Sequence, residues 1–69
     1  MTMLQKIIKG LSIFEKYNAN THPTFTGSKA ILMVQEEEFL HISKKDRKLL
    51  ESYGWHNEPT SPYLWKLYR

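Results

Sequence analysis

Apolar residues recur at intervals of three and four along residues 2–18: Leu4, Ile7, Ile8, Leu11, Phe14 and Tyr17. That spacing lines one face of a helix and predicts an amphipathic α-helix over 2–18. Thr2 and Gln5 have the spacing of a capping box. Lys6, Lys9, Glu15 and Lys16 fall elsewhere on the wheel. Gly10 costs such a helix about 1 kcal/mol relative to Ala, and its missing side chain leaves room for close packing. Asn18 or Asn20 is expected to end the helix in the left-handed region. The stretch 19–28 is a polar connector in which Pro23 pushes His22 out of the α region. Thr24 to Thr26 reads as a short edge strand, and Gly27-Ser28 suits a two-residue turn. Residues 29–34 are apolar on both parities, as in a central strand covered on both faces, or one covered by two helices and a loop. Glu36-Glu37-Glu38 reads as solvated. Phe39 to Ile42 alternates weakly, as a short returning strand or as the lead-in to a second helix.

The most explicit signals lie in 42–68. Ser43 is a good N-cap, with Asp46 at N3 where a carboxylate can reach back. Leu49, Leu50 and Tyr53 form one stripe. Gly54 fits the position after the helix, where φ is positive and a side chain costs energy. Leu50 and Trp55 then stand where a Schellman ending brings two side chains together, so the stop aims Trp55 inward. Trp55 to Glu58 and Tyr63 to Tyr68 read as strands around Pro59-Thr60-Ser61-Pro62. Tyr63, Trp65 and Leu67 share one face of the last strand; Leu64, Lys66 and Tyr68 share the other. Pairing across the loop is expected to bring Trp55 near Trp65. The predicted fold is α+β: an antiparallel sheet of three to four strands, two helices on one face, in the order α-β-(β)-α-β-β. Residues 1–69 form one small domain.

Composition narrows the chemistry. A 69-residue chain without cysteine has no disulfide or thiolate site, so its core must come from aliphatic and aromatic burial. No apolar run approaches the roughly 20 residues that span a bilayer. The apolar N-terminal segment is interrupted by Gln5, Lys6, Lys9 and Gly10, which argues against a signal peptide. These features lead us to expect a cytoplasmic protein with no membrane association. The net charge of +3, with both signs interspersed, reads as solubility rather than a nucleic-acid footprint.

Ser43, Asp46, Leu50, Gly54, Trp55 and Trp65 form a Ser-x-x-Asp…Leu…Gly-Trp…Trp module. It resembles a module in small uncharacterised proteins of bacteria and mobile elements, where an amphipathic helix and an apolar strand precede it. The resemblance covers most of the chain and implies a fold of this kind, with no activity attached. The linker from Glu36 to Ile42 departs from it, being longer and more apolar.

The residues offer no reaction centre. His22, His41 and His56 lack the short fixed spacings of a zinc site. Adjacent carboxylates at Glu36 to Glu38 point in different directions, which suits neither a cation nor acid–base work. No serine sits in a nucleophile elbow, and three isolated glycines make no phosphate loop. No cofactor is implied, and an enzyme is not expected. Lys44, Lys45, Arg47 and Lys48 lie at the start of the second helix, where the dipole disfavours cations. The bland reading is a solvated face with Glu51 relieving Arg47; the functional one is a phosphate-contacting surface. Tyr53, Tyr63, Trp65 and Tyr68 are many anchoring aromatics for so small a surface. The sheet face away from the helices is expected to carry Leu64, Tyr68 and part of 29–34, uncovered by the chain. The expected function is therefore a protein-interaction or regulatory module that binds another protein or its own copy. Candidate contacts are Tyr63, Leu64 and Tyr68, with nucleic-acid binding through Lys44, Lys45, Arg47 and Lys48 as the alternative.

Overall fold

The computed structural model describes residues 1–25 and 30–68. Helix α1 spans Met3–Tyr17, strand β1 Thr24–Phe25 and strand β2 Ala30–Gln35. A 3-10 helix, Glu37–His41, then leads into helix α2, Lys44–Ser52, and strands β3, Trp55–Glu58, and β4, Ser61–Tyr68, close the chain. The four strands form one antiparallel sheet in the order β1-β2-β4-β3. The fold is α+β, as the periodicities predict. The expected Gly27-Ser28 turn lies outside the described residues.

Both helix starts are capped by the residues that the sequence marks. The Thr2 hydroxyl accepts from the Gln5 N–H at 3.1 Å, and the Gln5 side chain accepts from the Thr2 N–H at 2.8 Å. The Ser43 hydroxyl accepts from the Asp46 N–H at 3.2 Å. Gly54 ends α2 at φ 92°, with its N–H donating to the Glu51 carbonyl at 3.0 Å. The other helix end differs from expectation. Asn18 is extended (φ −154°), and no described non-glycine residue has positive φ. Asn18 instead works through its side chain, donating to Glu36 at 3.2 Å and Glu38 at 3.0 Å. Two of the three glutamates thus tie the end of α1 to the 3-10 segment.

Trp55 decides how α1 sits. Its indole N–H donates to the Lys6 carbonyl at 3.0 Å. A Cβ placed on Gly10 would lie 2.0 Å from the indole nitrogen, so the ring occupies the space of the absent side chain. The helix is thereby rolled so that Gly10, Ile13 and Phe14 are buried, with Met3, Ile7, Leu11 and Tyr17 packed around them. Leu4 and Ile8, expected on the core stripe, stay in solvent, 65% and 55% exposed.

The core is one cluster built from Phe14, Val34, Phe39, Leu50, Trp55, Trp65 and Leu67, with Ile13, Leu32 and Ile42 at its margins. The indoles are not direct partners: Trp55 lies opposite Leu67, and Asn57 opposite Trp65. Phe14 joins them, its ring centroid 5.0 Å from Trp55 and 5.9 Å from Trp65. It also meets Phe39 at 4.8 Å. That contact explains why residues 37–41 are not a strand. Burying both Phe39 and Ile42 needs a period of three, which a 3-10 turn supplies and an alternating strand does not.

Three further expectations shift. Helix α2 buries Asp46 and Leu50 and half-buries Tyr53, at i, i+4 and i+7, which leaves Leu49 at the rim. The hairpin turn is Pro59-Thr60 alone, and Pro62 lies within β4. The Asn57 amide accommodates it where the register shifts, donating to the carbonyls of Pro62 (2.8 Å) and Leu64 (3.0 Å). Strand β2 is covered on one face only, with Leu32 and Val34 buried and Met33 half-buried on the other side.

Gly10→Ala should therefore destabilise the protein, although alanine is the better helix former by about 1 kcal/mol. The Trp55 ring must move out, which is expected to cost about 2 kcal/mol net in a urea titration. A neutral or stabilised variant would show that the ring is not seated there.

Candidate interaction surfaces

The contact between α1 and α2 is polar. Asp46 is the one buried charged side chain among the described residues. Its Oδ2 accepts from the Tyr17 hydroxyl at 2.6 Å and pairs with the Lys16 ammonium at 3.0 Å. The same Tyr17 oxygen accepts from the Ser43 N–H at 3.1 Å. Asp46 was expected to reach that N–H itself; instead, the phenol stands between them and relays the capping box. Bonds from Tyr17 and Lys16 outweigh desolvation and hold the Asp46 carboxyl below its ordinary value of 3.8. This cluster has the chemistry of a structural clasp: every member is committed to another.

The basic residues at the start of α2 divide. Lys44, Lys45 and Lys48 are exposed. Arg47 is half-buried: its Nε donates to the Ile42 carbonyl at 3.2 Å, and its guanidinium lies 5.9 Å from the Trp65 ring centroid. The sequence groups Arg47 with its neighbours and pairs it with Glu51. In the fold it closes over the core, because a flat, weakly hydrated guanidinium can stack on an indole where an ammonium stays in water. The exposed cluster is three lysines.

The candidate aromatics also separate. Strand alternation puts Tyr63 on the helix side of the sheet, and its carbonyl accepts from the Glu36 N–H at 3.4 Å. Leu64 and Tyr68 lie on the opposite face with Met33 and are half-buried. That face is not continuously apolar. Lys66 crosses it to reach Glu58 at 3.7 Å, and the His56 ring packs against Tyr68 at 5.4 Å. His22, His41 and His56 are all exposed, on three different segments. Among the described residues no group of three or more histidines and carboxylates could hold a metal ion. No helix among them is long and apolar enough to cross a membrane.

Further apolar exposure lies at the start of the chain and on α1. Met1, Leu4 and Ile8 are 61%, 65% and 55% exposed, and half-buried Leu11 continues the row. Positions 4, 8 and 11 are spaced four and three, as along one side of a helix that packs against another helix, and Met1 lies just ahead of the helix start. A second seam, Met3, Ile7, Gly10, Phe14 and Tyr17, faces the protein's own core. The sequence contains both, and reading them as a single stripe hides the outer one. An apolar arc wider than one layer needs is the signal that could have found it. Phe25, on the edge strand, adds a fourth large exposed side chain at 81%.

No family model, curated protein or solved structure matches the chain.

Tyr17→Phe removes the hydroxyl that accepts from the Ser43 N–H and donates to Asp46, and is expected to cost about 1–3 kcal/mol in urea. The pH dependence has a defined sign. Asp46 titrates lower in the folded chain than in the unfolded one, so its contribution is complete above about pH 5 and is lost as pH falls through and below 4. Asp46→Asn should lower stability at pH 7 and flatten that acid limb; an unchanged limb would assign it to other carboxylates.

Proposed function

We propose that the protein is a non-enzymatic protein-interaction module that works through the outer flank of α1. The observation that carries this reading is the row Leu4, Ile8 and Leu11 on α1, with Met1 just ahead of the helix. Met1, Leu4 and Ile8 are more than half exposed in a domain too small to spare large side chains from its core. Helix-on-helix recognition uses this spacing, with apolar anchors on successive turns. The open sheet face carrying Leu64 and Tyr68 is a lesser surface in this reading, because Lys66 and Glu58 interrupt it. The module's likeness to small proteins of bacteria and mobile elements suggests a cytoplasmic accessory or regulatory role in such an element.

Nucleic-acid binding remains the second reading. Lys44, Lys45 and Lys48 are exposed at a helix start that disfavours them, and neither ion pair among the described residues involves them. Arg47, committed to Ile42 and Trp65, is not part of that surface. Charge reversal at Lys44 and Lys48 should abolish a salt-dependent gel shift if this reading is right.

Leu4→Glu and Ile8→Glu test the main proposal. Both should leave the urea midpoint within about 0.5 kcal/mol of the parent, as surface changes do, while sharply reducing retention on a hydrophobic-interaction column. Substitutions that unfold the protein, or leave retention unchanged, would remove the α1 flank as the binding surface.

A further inference from the structure

We draw no further inference here: the strongest candidate, the row Leu4, Ile8 and Leu11 on the outer side of α1, is the surface already proposed above, and nothing among the described residues shows what covers it.

Discussion

The structure depends on one close approach. The Trp55 indole lies where a side chain at position 10 would be and donates to the Lys6 carbonyl. Two glycines make that possible from opposite ends of the chain. Gly54 turns at positive φ so that the residue after α2 enters the core, and Gly10 opens the surface of α1 to receive it. The backbone of the first helix is thereby pinned to the start of β3, 49 residues away. For a chain without disulfides, truncating such a buried ring costs several kcal/mol, a large share of the stability a small domain has.

The roll of α1 follows from this contact, and the surface follows from the roll. The helix has more apolar positions than one layer can bury. Fixing Gly10 against the indole selects Met3, Ile7, Phe14 and Tyr17 as the inner row and leaves Leu4 and Ile8 outside. The exposed row is therefore a consequence of how the core is locked. The polar clasp at the far end of α1 holds the same orientation, because Tyr17 and Lys16 must both reach Asp46. Burying that carboxylate is tolerable only because each of its neighbours donates to it.

Local rules carried far in this chain. Thr2 and Ser43 cap the helices, Gly54 stops α2, and the alternation of β4 buries Trp65 and Leu67. These features were legible because each depends on residues within one turn or one strand. Less was legible of the candidate surfaces. Arg47 reads as one of four cations until Trp65 is brought beneath it.

What the amino-acid order determined by itself was the inventory of elements and their ends, since caps, turn glycines and periodicity act over a few residues. Only the tertiary structure decided which of two apolar rows on α1 faces inward. It also decided that residues 37–41 coil rather than extend, and that Asp46 is served by a phenol from another helix. The physical reason is common to all three. Each outcome is set by a ring arriving from a distant part of the chain: Trp55 at Gly10, Phe14 against Phe39, Tyr17 between Ser43 and Asp46.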